Sequence, residues 1–500
     1  MTDLGAFAFF SGVLLAAVGV GEGLRVGLGW RPEATRRVVH AGVGVATALC
    51  PPLFSEPTLI YALAAVFVGA NAVALRRRWF PATNGAARRS VGTVVFPVAL
   101  VGALFLCWTL DPERVFVLQT AFLVLGLADP AASLVGMSAR RPGRFEVADA
   151  GKSVAGCLAF AVVAAACTAG MLVWLAPPSW GTAQIAAGVL AVAAVATAAE
   201  ALGRGGWDNA LVVLAVVVPL AALDARPDAA ALFVLAVPAA IVFAVGAYRV
   251  RSLDLSGALA GGVLAWMLVA LGGSVSGAAW AVPALAFFVA SSALSRTPLS
   301  VQGRARKRGA EALVEKGSRR DAGQVAANGV VAAVLLAATA FSDTAAVVAA
   351  LYAGFVGAFA AAAADTWATE IGTAVGGPTR RLGIGRPVPP GTSGGVSLAG
   401  TLGGAAGAAF VAATALLFAP LSVGLLALAG GVAGAALDTL VGATLQARYR
   451  LPDGSLTERA RAGSTALPLA AGVRGLTNDR VNLACTVAGA VVPLVAHAAT

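Results

Sequence analysis

Charged residues are scarce in this chain. Only 12% of its 500 residues are Asp, Glu, Lys or Arg, two are histidine, and 59% are apolar. A soluble core of this length does not need so large an apolar fraction, so the composition excludes a soluble globular protein. It indicates an integral membrane protein.

Cysteine and clustered aspartate are also rare. The five cysteines stand singly in apolar stretches and form no CxxC pair, so the sequence gives no sign of a disulfide framework or a cysteine zinc site. We expect them to act as small hydrophobic residues. The sequence also lacks a dense run of aspartates, which argues against a CDP-alcohol transferase. The cysteines are Cys50, Cys107, Cys157, Cys167 and Cys485.

What the chain does contain is a series of apolar windows, each suited to crossing a hydrocarbon core of roughly 30 Å. We expect an all-α polytopic integral membrane protein with about 16 transmembrane helices in two eight-helix halves. The polar segment 224–228 separates the halves and predicts two membrane domains, 1–224 and 225–500. The windows are 4–20, 38–51, 58–75, 91–109, 115–136, 153–175, 184–200, 209–223, 231–247, 255–271, 279–294, 324–341, 346–362, 394–419, 421–445 and 481–497.

The basic residues predict a topology. Of the 35 Lys and Arg residues, all but Arg114 and Arg226 fall in every second gap between windows, as positive-inside sorting requires. This predicts a multi-pass protein of the cell membrane with both termini outside and its active sites on the cytoplasmic side. The net charge of +11 is spread over many short loops, so we expect no nucleic-acid partner. The first window has no basic residue before it, which predicts an uncleaved span.

Asp129 is the costliest residue of the first half, because a carboxylate near the middle of a span costs about 2.5–3.5 kcal/mol. It either functions in a site or forms a hydrogen-bonded pair that helps helices to pack, and Ser133 lies on its face one turn later. The segment Gly151-Lys152-Ser153 starts the next span. It resembles part of a P-loop, but Glu146 stands where the first glycine should be. Free amides at a helix start still favour anionic oxygens.

More polar residues gather at the same predicted membrane face. Glu200 ends one window, residues 203–206 make a tight loop, and Asp208 with Asn209 opens the next window. Oxygen-rich side chains of this kind suit Mg²⁺. His40 follows Arg36 and Arg37 at the head of the second window, where it is either an interfacial or a catalytic histidine.

The second half repeats this arrangement. Asp365 and Glu370 lie at the inner end of a window, a glycine- and hydroxyl-rich turn precedes the following helix, and Asp438 ends a later window. Similar spacings suggest that the halves are diverged copies of one eight-span unit, although a shared Ala- and Gly-rich composition could produce the same likeness. The turn contains Ser393, Gly394, Gly395 and Ser397, and the last window begins with Asn478, Asp479 and Asn482.

The basic loop 295–323 has two readings. It is an anchor near anionic headgroups, or its membrane end joins a polyanion site. Arg320, Gln324 and Asn328 recur every four residues, so they line one face of a helix that enters the bilayer.

Carboxylates that hold Mg²⁺, glycine turns that hold phosphates and cations that neutralise transferred charge are the requirements of phosphoryl transfer. An acceptor alcohol with an apolar tail would present its hydroxyl at the same depth. The expected catalytic residues are Asp129, Lys152, Glu200, Asp365, Glu370 and Asp438. The expected nucleotide- and phosphate-binding residues are Arg37, His40, Gly151, Ser153, Asn209, Arg320, Gln324, Asn328, Ser393, Gly394, Gly395, Ser397, Asn478 and Asn482. The expected metal ligands are Asp129, Asp208, Asp365 and Asp479.

Residues 31–220 resemble the CTP-dependent polyprenol kinases, the phytol and dolichol kinase group. Two departures are mild: Ala128 stands before Asp129 where glycine is usual, and Ser153 follows Lys152 where threonine is common. The matching stretches are Arg36-Arg37-Val-Val-His40, Gly92-Thr93-Val-Val-Phe-Pro97, Asp129-Pro130-Ala-Ala-Ser-Leu-Val-Gly136, Gly151-Lys152-Ser153-Val-Ala-Gly156, Glu200 and Asp208-Asn209.

Residues 231–498 resemble the phytyl-phosphate kinases and their relatives, the DUF92 type. The matching stretches are Arg319-Arg-Asp-Ala-Gly-Gln-Val-Ala-Ala-Asn328, Asp365-Thr-Trp-Ala-Thr-Glu370, Ser393-Gly-Gly-Val-Ser397, Asp438-Thr-Leu-Val-Gly-Ala-Thr-Leu-Gln446 and Asn478-Asp-Arg-Val-Asn482. Together the two resemblances imply that an isoprenoid alcohol such as phytol or geranylgeraniol is converted to its monophosphate and then to its diphosphate, with CTP and Mg²⁺.

A secondary transporter is the alternative, because duplicated eight-helix repeats also describe carriers. A carrier should place polar residues near the midplane with access from both sides. Here they gather toward one face, which favours the kinase.

Overall fold

The computed structural model describes residues 2–77, 90–140, 143–147, 150–296, 319–342, 344–383, 385–462 and 465–498. The chain divides into two compact units, Met1–Pro238 and Ala239–Thr500, and each is described by itself. The central part of the predicted basic loop, residues 297–318, lies outside the described residues.

The first unit consists of helices with one short hairpin. The hairpin pairs strand β1 (Arg144–Val147) with β2 (Ala150–Ser153) in antiparallel register. The helices are α1 (Asp3–Gly27), α2 (Pro32–Leu49), α3 (Thr58–Arg77), α4 (Gly92–Leu104), α5 (Val115–Ser138), α6 (Val154–Leu175), α7 (Thr182–Leu202), α8 (Asp208–Ala225) and α9 (Ala230–Arg249), and the boundary between the units falls inside α9.

The described residues of the second unit form seven more long helices and several short strands. The helices are α10 (Leu255–Met267), α11 (Ala281–Arg296), α12 (Ala322–Ala338), α13 (Ala345–Val375), α14 (Leu398–Ala415), α15 (Leu421–Thr444) and α16 (Asn478–Ala498). The strands are β3 (Arg380–Arg381), β4 (Gly395–Val396), β5 (Arg448–Arg450), β6 (Leu456–Thr457), β7 (Arg461–Ala462), β8 (Thr465–Ala466) and β9 (Leu469–Ala471). They pair as β3 with β4, as a sheet of order β6-β5-β9, and as β7 with β8.

The predicted helical membrane fold is confirmed. The described residues form 16 helices, and each predicted window overlaps one of them. Fourteen helical segments are long and apolar enough to cross a membrane. The remaining two helices differ for clear reasons, because α2 carries Glu33, Arg36 and Arg37, and α11 has only 16 residues.

Two features differ from the expectations drawn from the sequence: the length of one helix and the presence of a small sheet. Helix α13 runs 31 residues to Val375, about 46 Å at 1.5 Å per residue, so Asp365 lies well inside a helix and not at its end. In addition, residues 448–471 between α15 and α16 form the small sheet and the β7–β8 hairpin. This cap has its own apolar cluster of Ala447, Tyr449 and Leu467.

Small residues set the helix spacing at the functional residues. Helices α2 and α5 cross at Gly44 and Gly126, where a Cβ on Gly44 would lie 2.5 Å from the Cα of Gly126. Such contact requires glycine on both helices. Because His40 lies one turn before Gly44 and Asp129 lies one turn after Gly126, the crossing brings these two side chains together.

Candidate active sites

The first unit encloses a cavity of about 1320 Å³. One end of it collects most of the polar residues predicted for the first half, from α2, α5, the β1–β2 hairpin, α7 and α8. The polar lining residues include Arg36, Arg37, His40, Asp129, Ser133, Lys152, Ser153, Glu200, Asp208 and Asn209.

Lys152 and Glu200 form a buried ion pair in this cavity. The Lys152 Nζ donates to the Glu200 Oε1 and to the Glu200 carbonyl oxygen, both at 2.6 Å. The two side chains are only 15% and 10% exposed. Lys152 comes from β2 and Glu200 from the last turn of α7, so the pair joins the hairpin to the helix end.

Two side chains of α2 meet two side chains of α5. The Nε2 atom of His40 lies 3.6 Å from the Oδ2 atom of Asp129 and 3.3 Å from the carbonyl oxygen of Leu125. One turn away, the Nε atom of Arg37 donates to the Ser133 hydroxyl at 2.9 Å. The imidazole, guanidinium, carboxylate and hydroxyl groups therefore line one wall of the cavity.

Asn209 has a structural role that its position in the sequence did not reveal. Its side-chain amide donates to the Gly92 carbonyl oxygen at 2.8 Å, and a backbone hydrogen bond joins Val91 to Gly205. Gly206 has a φ of +99°, and a Cβ there would lie 2.1 Å from the Gly92 nitrogen. Only glycine fits this approach, and the result ties the start of α4 to the start of α8.

The other end of the cavity is apolar and lined by buried side chains. Residues of α1, α3 and α4 line it over the distance from Ile60 to Asn71 on α3, roughly 16 Å along the helix. Phe10, Ile60 and Leu100 at the far end are almost fully buried, and Phe10 packs edge-on against Phe54. The cavity is thus polar at one end and apolar along the rest of its length. The apolar lining includes Phe10, Leu14, Val18, Val43, Ile60, Leu63, Phe67, Phe96 and Leu100.

In the second unit, Asp365 of α13 and Asp438 of α15 share a hydrogen bond. The Oδ1 atom of Asp438 is buried and has no hydrogen-bond partner. Two carboxylates in contact require a shared proton or a cation. Glu458 adds a further negative charge that acts on Asp438.

The glycine turn before α14 lies against the inner end of α15. Gly394 has a φ of +74°, and a Cβ there would lie 2.3 Å from the Cα of Ala443, so the turn requires glycine. The Ser393 hydroxyl donates to the Glu458 carboxylate. Glu458 was missed by the sequence reading because it lies on the small cap, where charged residues are ordinary.

The expectation for Arg320, Gln324 and Asn328 is corrected in one respect. Arg320 precedes α12, hydrogen-bonds through its backbone to Ser252 and Asp254, and places its guanidinium over the Phe287 ring. It therefore lies outside the helix that carries the other two, although all three residues line the same small pocket. Burial lowers the pKa of Arg320, while nearby Glu370 acts to raise it.

The side-chain amides of Gln324 and Asn328 have hydrogen-bond partners within the protein. Gln324 forms a reciprocal cap with Asp321, and Asn328 donates to the Gln324 carbonyl oxygen at 3.1 Å. These hydrogen bonds within the helix and its cap occupy the groups that we expected to bind phosphate. At α16, Asn478 and Asp479 form the first turn, and Asn482 is buried in the next turn.

The described residues contain no group of three or more His, Cys, Asp or Glu side chains that could hold a metal ion. Mg²⁺ commonly takes only one or two carboxylates and completes its shell with water and phosphate oxygens. The facing carboxylates of Asp365 and Asp438, one with a free buried oxygen, fit such a partial shell. In the first unit, Asp129 and Asp208 are close enough for their charges to interact.

The two units share a local frame. Asp129 precedes Gly136 by seven residues, and Asp365 precedes Gly372 by the same number. In each unit that glycine packs on the first turn of the next helix, which is capped by a serine whose hydroxyl accepts from a glycine N–H at 3.1 Å. The capped turns read Gly151-Lys-Ser-Val-Ala-Gly156 and Gly395-Val-Ser-Leu-Ala-Gly400.

This frame also revises the roles of two serines. The Ser153 and Ser397 hydroxyls, both expected to bind phosphate, cap α6 and α14. The two aligned motifs are also visible in the sequence. The structure aligns Lys152 with Val396.

Comparison with known proteins identifies the second half. Residues 238–490, about half of the chain, match the family described as integral membrane protein DUF92. Protein PGR of Arabidopsis thaliana is 30% identical over 248 residues, covering 45% of this chain and 82% of that protein. An uncharacterized membrane protein of Methanocaldococcus jannaschii is 26% identical over 243 residues, covering 48% of this chain and 84% of that protein.

A third relative is an uncharacterized membrane protein of Synechocystis, which is 36% identical over 103 residues and covers 19% of this chain and 38% of that protein. No solved structure matches this chain. The predicted likeness of the second half to the DUF92 type is confirmed, and the likeness of the first half to polyprenol kinases stays a prediction. This chain belongs to the DUF92 family of integral membrane proteins.

Proposed function

We propose that this membrane protein is a bifunctional isoprenoid-alcohol kinase. The first unit phosphorylates an alcohol of the phytol or geranylgeraniol type, and the second unit phosphorylates the resulting monophosphate to the diphosphate, with CTP as donor. The observation that carries the proposal is the cavity of the first unit, which joins a charged end to an apolar end lined by buried side chains. A molecule with one polar head and one apolar tail fits such a shape.

The charged end has the groups that phosphoryl transfer needs. Lys152, Arg36 and Arg37 bring positive charge toward a donor's phosphates, and Asp129 lies within reach of an alcohol at the same wall. In the transfer, the alcohol oxygen attacks the terminal phosphorus of the donor, the bond to the bridging oxygen breaks, and the hydroxyl proton passes to Asp129. His40 orients that carboxylate.

Magnesium, when bound, supplies positive charge to the transferred phosphoryl group. Asp129 and Asp208 would hold it in the first unit, and Asp365 with Asp438 in the second. Asp479, also predicted as a ligand, lies in the first turn of α16. The Ser393-Gly394-Gly395 turn would position the phosphates beside Asp438.

The distribution of Lys and Arg supports a cytoplasmic location for both sites, because the basic gaps flank the helix ends that carry them. One of the two exceptions, Arg114, is consistent with this proposal. Arg114, in a gap assigned to the outside, pairs with Asp111 and Asp224.

The test is a product assay with the full-length protein in membranes or detergent, supplied with CTP, Mg²⁺ and phytol or geranylgeraniol. We expect both the mono- and the diphosphate from the wild type. Asp365→Asn should stop the series at the monophosphate, and Asp129→Asn should abolish the first step by about 10²- to 10⁴-fold while leaving added monophosphate convertible. Absence of any nucleotide-dependent product across several alcohol lengths would overturn the proposal.

A secondary transporter is the alternative, and the repeated frame of the two units favours it as well, since carriers are commonly built from repeats. The gathering of the polar residues at one end of the cavity argues against it, because a carrier is expected to hold its site near the bilayer midplane. Substrate accumulation in sealed vesicles without phosphorylation would support the transporter.

A further inference from the structure

The two units share the Asp, Gly and Ser frame but differ in the charge of the residue just before the capping serine. In the first unit, Lys152 stands on β2 just before the capping Ser153. The corresponding residue of the second unit is Val396, just before Ser397. If both units transfer phosphoryl groups, the second must obtain its cation from another element.

Arg381 lies on the neighbouring strand, at the position that faces the glycine of the motif. β3 pairs Arg381 with Gly395, whereas β1 pairs Glu146 with Gly151. A cation therefore stands on β3 where the first unit has an acid on β1. The Arg381 guanidinium donates through its Nη2 atom to the Ala443 carbonyl oxygen at the end of α15.

Arg448 on β5 reaches the same place from the cap. Its Nη2 atom donates to the carbonyl oxygens of Gly442 and Ala443, at 2.7 and 3.2 Å. Ala443 lies five residues after Asp438, about 7.5 Å along the helix. Both guanidinium groups thus gather at the end of α15, beside the Gly394 turn.

Helix capping does not account for all of these donors. Arg448 is only 6% exposed, and the Nε–H groups of Arg381 and Arg448 are both buried without a hydrogen-bond partner. Burial lowers the pKa of Arg448 and so does the neighbouring charge of Arg381, while Glu458 opposes them. Two adjacent cations, Arg448 buried and Arg381 half-buried, are costly with unused buried donors unless an anion joins them.

We infer that Arg381 and Arg448 form a phosphate clamp in the second unit, which binds the phosphate group of a prenyl monophosphate or the terminal phosphates of the nucleotide. Guanidinium groups suit this ligand because their planar donors match phosphate oxygens. Glu458, bonded to Ser393 at the same place, opposes anion binding through its charge. This inference rests on the proposed second kinase step.

The first experiment measures conversion of geranylgeranyl monophosphate to diphosphate by the full-length protein, with KM determined separately for the monophosphate and for CTP. Arg381→Gln and Arg448→Gln should each raise one of these KM values about tenfold to hundredfold. Glu458→Gln should lower the same KM, because it removes a competing negative charge. The matched controls are Arg380→Gln and Arg450→Gln, exposed arginines on the same two strands, and they should leave both KM values unchanged.

The second experiment measures the rise in Tm that inorganic pyrophosphate causes in the purified protein. The rise should be present in the wild type and in both control variants, and should be lost in Arg448→Gln. Arg448→Lys should retain part of it because the charge is kept. This readout separates the clamp from a capping role, which changes the Tm without ligand and leaves the ligand-dependent rise intact.

The outcomes are distinct. Failure of the wild type to convert the monophosphate overturns the second kinase step. Normal conversion with unchanged KM values and an unchanged pyrophosphate response in both arginine variants overturns the clamp. Opposite shifts of one KM in Arg448→Gln and Glu458→Gln support it, because loss of a structural contact predicts no such opposition of sign.

Discussion

The two units carry the same Asp, Gly and Ser frame but balance its charge in different ways. In the first unit the carboxylate of Glu200 is neutralised by Lys152. In the second unit Asp365 meets another carboxylate, that of Asp438, and the guanidinium groups of Arg381 and Arg448 bond to helix carbonyls. The first site therefore keeps an internal ion pair, and the second leaves its acidic pair to be satisfied by a proton or a cation.

The segments that join the last two helices of each unit's site also differ, in length and in the charges that they carry. A short turn, residues 203–207, joins α7 to α8, whereas the small cap occupies the equivalent link between α15 and α16. The cap brings Arg448 and Glu458 to its site. The cap between α15 and α16 thus supplies charges that the shared Asp, Gly and Ser frame does not provide.

The largest expected stability effect comes from breaking the ion pair. Lys152→Met leaves the Glu200 carboxylate buried without its partner, and we expect a loss of about 3–5 kcal/mol in the free energy of unfolding. The double variant Lys152→Met/Glu200→Leu should recover most of that stability but not the first kinase step. Val396→Met at the matching position should have little effect. A stable single variant would show that Glu200 is neutral in the folded protein.

A smaller effect, on substrate preference, is expected at the apolar end of the cavity in the first unit. Phe10→Ala should enlarge the far end and shift the preference of the first step toward longer prenols by about tenfold or more in kcat/KM. Leu15→Ala, on the exposed side of α1, serves as the control. An unchanged order of preference across prenols of two to six isoprene units would contradict the assignment of this cavity to the tail.

The smallest effects should come from the shared glycines. A Cβ on Gly136 would lie 2.6 Å from the Ser153 hydroxyl, and one on Gly372 would lie 3.1 Å from the Gly400 Cα. We expect Gly136→Ala and Gly372→Ala to cost about 1–3 kcal/mol each and to slow only the step of their own unit. Gly170→Ala and Gly246→Ala, which meet no atom within 4 Å, should leave both steps unchanged. If either shared-glycine variant slowed both steps equally, the division of labour would be wrong.

The sequence predicted the helices well, because long apolar runs separated by basic gaps are a strong signal. It placed the inner end of α13 too early, since Asp365, Thr366, Thr369 and Glu370 lower the apolar content of a helix that nevertheless continues. The cap was missed because its strands contain only two or three residues, too few for an alternating pattern.

The sequence likewise predicted some of the site residues and missed others. Charges within spans, such as Asp129 and Asp438, were found because they are expensive there. Arg381, Arg448 and Glu458 lie outside the spans, where charge carries no such signal. The contact of Arg37 with Ser133 depends on how α2 crosses α5, which no local pattern encodes.

The most direct test of the central claim counts the phosphates that each unit transfers. With CTP labelled in its terminal phosphate and geranylgeraniol as acceptor, the account predicts two labels per product molecule for the wild type, one for Asp365→Asn and none for Asp129→Asn. Two labels per product from Asp365→Asn, or equal loss of both transfers in the two variants, would contradict it.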